Sequence, residues 1–208
     1  MPKKALKAPV QKRSIATRNK LKRVAKQLFS EKGFYKVTSI QIAKAAGVPV
    51  GSFYNYFGNK EGILLELIAD FNAKFHQDSI EPMEMYVLTT IDKASALKNL
   101  AHLIQSIIAS PHLSDPFYPI FHALQFTEPA VCEEAAKARD IELLFLERFL
   151  TQINQFHPVP NIPLMARLIF TTSENLNLYI HHLAPLGDAE QMIKEAILMF
   201  ERYIFDGE

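Results

Sequence analysis

Between Thr38 and Lys60 the chain is punctuated by glycine and proline so closely that only two very short helices and a tight turn fit. Thr38-Ser39-Ile40-Gln41 is a capping box, in which Thr38 and Gln41 satisfy each other's free amides, and it predicts a helix over 38–45. Ala46-Gly47-Val48-Pro49 then breaks the chain, Gly47 permitting a left-handed turn and Pro49 suiting a first helical turn. A second short helix is expected over 50–56, and after Gly58-Asn59 a longer one over 60–77. Upstream, Leu21, Val24, Ala25, Leu28 and Phe29 recur at helical spacing. Lys20, Lys22, Arg23, Lys26 and Gln27 occupy the opposite face, and Gly33 ends this helix.

Beyond Ser79, amphipathic helices are separated by proline-containing breaks, at Glu81-Pro82, Ser110-Pro111, Asp115-Pro116, Glu128-Pro129, His157-Pro158-Val159-Pro160 and Pro185-Leu186-Gly187. Helices are expected over 93–110, 115–126, 129–156, 162–183 and 188–205, with Asp188 and Gln191 repeating the capping logic at the last. Strand alternation is nearly absent.

The net charge of +1 conceals a division. Residues 1–60 carry fourteen basic side chains against Glu31 alone, and the remaining 148 residues balance at −12. One end of the chain suits a polyanion and the body does not. A lysine-rich tail in water would account for Lys3, Lys4 and Lys7, but not for cations that continue into a patterned helix. One cysteine, Cys132, permits no internal disulfide. No apolar run approaches the roughly 20 residues of a membrane span, and the basic N-terminus lacks a secretory apolar core, so a soluble cytoplasmic protein is expected.

Two short helices joined by a glycine turn and braced by a third describe a helix-turn-helix, whose second helix can enter the DNA major groove. Ile42, Ala43, Val48 and Phe53 would bury the inner side. The residues also resemble a known family. Leu28-Phe29, Gly33-Phe34, Thr38, Ile42-Ala43, Ala46-Gly47-Val48, Gly51-Ser52-Phe53-Tyr54, Tyr56-Phe57 and Lys60-Glu61 are similar to the DNA-binding domain of TetR-type transcriptional regulators. Two departures stand out: Pro49 replaces the usual Ser or Thr cap, and Val50 replaces a polar residue. A valine can touch a thymine methyl but cannot read guanine or adenine by paired hydrogen bonds.

The resemblance implies an all-α fold. Its parts are a basic flexible arm over 1–12, a three-helix DNA-binding domain over 13–73, and a larger helical ligand-binding and dimerisation domain over 74–208. It implies phosphate contacts from Thr38, Tyr54, Tyr56 and Lys60, while Val50, Gly51, Ser52 and Asn55 would face the groove. Tyr54 and Tyr56 read equally as half-buried packing aromatics, Ser52 and Asn55 as solvated polar residues, and Thr38 first of all as a cap. A homodimer through the last two helices, about 162–183 and 188–205, would match a palindromic operator.

The resemblance further implies a cavity for a small apolar or amphipathic effector, for which Phe75, His102, Phe117, Phe121, Phe145 and Phe149 are candidates. Aromatic stripes at helical spacing serve equally as plain core. Thr171-Thr172-Ser173-Glu174-Asn175-Leu176-Asn177 places polar groups in an otherwise apolar helix. Such groups, Glu174 among them, need a ligand or a dimer partner if buried, and form a solvent stripe if not.

Catalysis finds no motif: HExxH, CxxC, phosphate loop and nucleophile elbow are absent from the sequence. His181 and His182 point to different helix faces, so no metal or other cofactor is expected. The expected function is a dimeric repressor released from its operator by its effector. The alternatives are a helical small-molecule-binding protein or enzyme, and a DNA-binding regulator without an effector.

Overall fold

The computed structural model describes residues 7–183 and 188–206, with side chains from Arg13 onward. Among these residues there is no strand, and the fold is all-α. None of the described helices is long and apolar enough to cross a membrane.

The N-terminal unit is built from α1 (Lys7–Lys32), α2 (Ser39–Ala45) and α3 (Val50–Phe57). Leu21, Ala25 and Phe29 of α1 meet Ile42 and Ala43 of α2 and Phe53 of α3 in one core, all fully buried. Each such large side chain contributes about 1.5–3 kcal/mol by leaving water. The turn between α2 and α3 requires Gly47, whose φ of 60° is left-handed. Pro49 is the N-cap of α3 and brings no side-chain hydrogen bond to its free amides.

Helix α1 is already helical at Lys7, inside the stretch expected as a flexible arm. Residues 1–6 and the side chains of 7–12 lie outside the described residues, as does the break at Pro185-Leu186-Gly187.

Helix α4 (Lys60–Phe75) leads from this unit into the body. It passes into a π-helical turn over His76–Ile80 and a 3-10 turn over Glu81–Met83, rather than stopping at Gln77. Pro82 sits in the first positions of that turn, where its missing N–H costs nothing, and a short helix α5 (Glu84–Thr89), unanticipated from the sequence, follows.

The body continues with α6 (Lys93–Ile108), α7 (Tyr118–Leu124), α8 (Pro129–Ile153), α9 (Ile162–Leu178) with a π-helical turn over Tyr179–Leu183, and α10 (Ala189–Phe205). α8 runs along α9, α6 packs on α9 and α10, and α4 reaches α8. Leu100, Leu103, Ile104, Phe117, Phe149 and Ile169 are fully buried there. Asp188 does not cap α10: its backbone (φ −103°, ψ 4°) is not extended, its side chain makes no cap bond, and Gln191 bonds Glu195 instead.

Candidate nucleic-acid interface and interior cavity

Helix α3 is two-faced. Phe53 and Phe57 point into the core, whereas Gly51 and Asn55 are exposed, together with Val50 at 37% and Tyr54 at 47%. Ser52 and Tyr56 are half-buried, Tyr56 against the core. The face from Val50 to Asn55 therefore lies free for a groove.

Thr38 is exposed and is the N-cap of α2: its hydroxyl accepts the Gln41 N–H at 3.2 Å, while the Gln41 side chain accepts the Thr38 N–H at 2.8 Å. Lys60 is more constrained than its sequence position suggests. Its ammonium donates to the Phe34 carbonyl at 2.8 Å and lies 4.0 Å from the centre of the Phe34 ring. Burial lowers its pKa, and the charge of Glu128 opposes that shift. Two of its three N–H groups remain for a phosphate.

The basic surface is smaller than the sequence count. Arg18, Lys22 and Lys26, one helical turn apart on α1, pair with Glu66, with Glu66 and Asp70, and with Asp115 respectively. Lys20, Arg23, Lys36 and Lys44 are exposed, with no salt-bridge partner among the described residues. Lys20 is a candidate missed in the sequence: its Nζ lies 3.7 Å from where a Cβ on Gly47 would stand, beside the helix-turn-helix corner.

The body holds a partly open cavity of about 60 Å³. Its walls bring together Phe71 and Phe75 of α4, Tyr118 and Phe121 of α7, Glu142 of α8 and Glu174 of α9. Phe75, Phe121 and Glu174 thus reach it. Phe117, Phe145 and Phe149 do not: they are buried in the packed core away from it. His102 is exposed on α6, its ring 6.0 Å from that of Tyr86. The polar stretch of α9 is divided. Thr171 and Asn175 are exposed, Glu174 faces the cavity, and Ser173 and Asn177 are fully buried, with Asn177 Nδ2 donating to the Ile108 carbonyl at 2.5 Å. His181 and His182 donate through Nε2 to the backbone carbonyls of Ile108 and Leu113.

Two open clefts adjoin the cavity. One of about 430 Å³ between α4 and α8 shares Asn72, Ala138 and Glu142 with it. Another of about 520 Å³ beside α8 and α9 shares Gln125, Arg139, Phe170 and Glu174.

The cavity is acidic. Burial pushes the Glu142 carboxyl up to about 8; the charge of Glu174 adds to the shift, and Arg139 opposes it. Burial and the neighbouring Glu174 and Glu142 also raise the Tyr118 hydroxyl, which donates to Glu174 at 3.4 Å. Glu142 and Tyr118 were missed in the sequence. The signal available was Ala135, Ala138, Arg139 and Glu142 on one face of α8, small residues leaving room beside a charge.

Glu142→Gln should stabilise the protein at neutral pH by about 1–3 kcal/mol, because folding of the natural chain must take up a proton that the unfolded carboxyl has shed. The unfolded carboxyl ionises near 4.5 and the folded one near 8. Between those values the natural protein loses stability as pH rises, because the unfolded chain sheds the proton first. The variant lacks that slope, so melting curves of the two proteins should diverge from pH 5 to pH 8. Parallel curves would place the carboxyl in water.

One segment touches both regions. Asp115 pairs with Lys26 of α1 at 2.5 Å, and Glu128 accepts from the Tyr35 hydroxyl at 2.5 Å. Between these two tethers lie Tyr118, Phe121 and Gln125, all on the cavity wall.

The sequence model of the bacterial regulatory proteins of the tetR family matches residues 22–67. The HTH-type transcriptional regulator YdgC of Bacillus subtilis is 39% identical over 62 residues, 30% of this chain and 32% of that protein. The fatty acid metabolism regulator protein of Bacillus subtilis is 36% identical over 91 residues, 42% of this chain and 43% of that one. The chain thus matches less than half the length of these curated relatives. Among solved structures, the transcriptional regulator FadR from Bacillus subtilis in complex with stearoyl-CoA superposes with a TM-score of 0.68 at 24% identity, covering 89% of this chain and 98% of that one. That likeness concerns the fold over 89% of the chain, whereas the sequence matches to these curated relatives cover 30–42% of it. Residues 22–67, with their capped α2, glycine turn and two-faced α3, are thus similar in sequence to the bacterial regulatory proteins of the tetR family.

Proposed function

We propose that the chain is a sequence-specific DNA-binding transcriptional regulator that works as a homodimer on a palindromic operator. A small apolar or amphipathic effector in the body releases it. The observation that carries this reading is α3, anchored inward by Phe53 and Phe57 while Val50, Gly51, Tyr54 and Asn55 face outward. In this reading 13–73 is the DNA-binding domain and 74–208 the effector and dimer domain. Val50, Gly51, Ser52 and Asn55 face the bases. Thr38, Tyr54, Tyr56 and Lys60 hold phosphates, joined by Lys20.

Dimerisation through α9 and α10 is supported by their exposed apolar residues, Leu164, Leu168, Leu198, Met199 and Tyr203. An effector role for the body is supported by the cavity and by the stearoyl-CoA bound to the Bacillus subtilis FadR. Helix α4 is the proposed lever, since it begins at Lys60 in the reader and ends with Phe71 and Phe75 in the cavity wall. The effector needs only to favour the non-binding arrangement by about 1–3 kcal/mol.

Operator affinity should fall steeply with salt. For six to ten phosphate contacts, raising salt from 50 to 200 mM weakens binding by about 10³–10⁵-fold. Fluorescence anisotropy on a labelled duplex, selected by footprinting, measures the slope. A flat response would overturn the reading.

A further inference from the structure

We infer that the cavity takes a primary ammonium group on a short apolar chain, with the ammonium seated between the Glu142 and Glu174 carboxyls beside the rings of Phe71, Tyr118 and Phe121. This rests on the reading of the cavity as the effector site and names the chemistry of its ligand.

The two carboxyl groups on the chamber wall, Glu142 and Glu174, are short of hydrogen-bond donors. Among the described residues no hydrogen bond or ion pair engages Glu142, whose half-buried side chain stands on the chamber wall. Glu174 receives only the long bond from Tyr118 at 3.4 Å. Arg139 is the one guanidinium on the wall, and it donates to Gln125 Oε1 at 3.1 Å rather than to either acid. A ligand that fits must therefore bring donors, and a primary ammonium brings three.

Size and surroundings narrow the choice. A chamber of about 60 Å³ suits a compact head group. Phe71 stacks on Tyr118 with centroids 5.8 Å apart, and Phe121 lies edge-on to Phe71 at 5.8 Å, forming an aromatic wall that favours a cation. The adjoining cleft of about 430 Å³ is lined by Ala69, Ala73, Ile80 and Ile141, an apolar channel for the chain.

Charge closes the argument. With its carboxyl pushed up to about 8, Glu142 holds a proton at neutral pH. An entering ammonium stands in for that proton, which leaves to solvent as the carboxylate forms. The other charged and titratable groups are Glu174 of α9, Tyr118 of α7 and Arg139 of α8, with His76, Glu134 and Lys137 along one adjoining cleft, His122, Asp140 and Arg167 along the other, and the His182 ring 6.0 Å from that of Tyr118.

The test uses the full chain and n-octylammonium, titrated calorimetrically in two buffers of different ionisation heat. Near pH 7 close to one proton should be released per molecule bound. The Kd should tighten about tenfold per pH unit from 6 toward 8 and level above, since the ligand itself stays charged like a lysine. Octanoate, octanol and octanoyl-CoA should bind at least tenfold more weakly. Glu142→Gln, which keeps shape and removes the charge, should weaken octylammonium at least tenfold and abolish proton release; Glu174→Gln should weaken it independently. Absence of octylammonium binding, or octanoate or octanoyl-CoA binding as tightly, overturns the assignment. Unchanged affinity in Glu142→Gln does the same. Release of operator DNA by octanoyl-CoA but not by octylammonium would sink the ammonium assignment while leaving the regulator reading intact, whereas salt-independent DNA binding would sink the latter.

Discussion

Gly62→Ala is expected to collapse the junction between α3 and α4 and to abolish operator binding. A Cβ at Gly62 would lie 2.1 Å from the Phe57 carbonyl oxygen, which is backbone and already accepts the Asn59 N–H at 2.7 Å. The oxygen cannot retreat without turning the end of α3, and the Gly62 N–H is itself held by the Asn59 side chain at 2.7 Å. Overpacking of this kind costs about 1–3 kcal/mol, and a backbone collision belongs at the upper end. The control is Gly51→Ala. Gly51 is helical with nothing within 4 Å of the added carbon, so alanine there should stabilise α3 by about 0.5–1 kcal/mol. Gly51→Ala should nonetheless weaken operator binding, because in the proposed reading the added carbon stands on the exposed face offered to the groove. Thermal melting and anisotropy separate the two: one variant loses both readouts, the other only affinity. Wild-type melting in Gly62→Ala would refute the expectation.

Leu168→Glu combined with Met199→Glu should yield a monomer with operator affinity lowered by about 10²–10⁴-fold. Both side chains are about half exposed, 44% and 50%, on helices whose other faces are in the core. In a two-fold interface each substitution appears twice, so four carboxylates would meet across it. Losing the second reader removes the gain of an intramolecular second contact, which is worth that factor. Light scattering at micromolar concentration and anisotropy on the full palindrome measure both effects. A variant that remains dimeric would move the interface elsewhere.

The reader was legible because its signals are local. Thr38 finds Gln41 three residues on, and the Gly47 and Gly58 turns need only their own neighbours. Pairing of Arg18, Lys22 and Lys26 was not legible, since their acids arrive from α4 and the segment before α7. The cavity was harder still. Its walls come from positions 71, 118, 142 and 174, which only the tertiary packing brings together. One residue step on a helix turns a side chain by about 100°. Phe117 is therefore core where Tyr118 is wall, and an apolar pattern cannot choose between them. The cap expected at Asp188 fails for a similar reason, because capping depends on backbone angles that a residue type does not determine.

The segment from Asp115 to Glu128 carries cavity wall and both tethers to the reader within fourteen residues. On the proposed function, any drift of its sequence that retunes which molecule is sensed also shifts how firmly the silent protein holds its reader in place. Taste and baseline are thus inherited together. Relatives with altered inducers should differ in leakiness as well, and separating the two traits by engineering requires leaving Asp115 and Glu128 untouched while changing only the inward side chains between them.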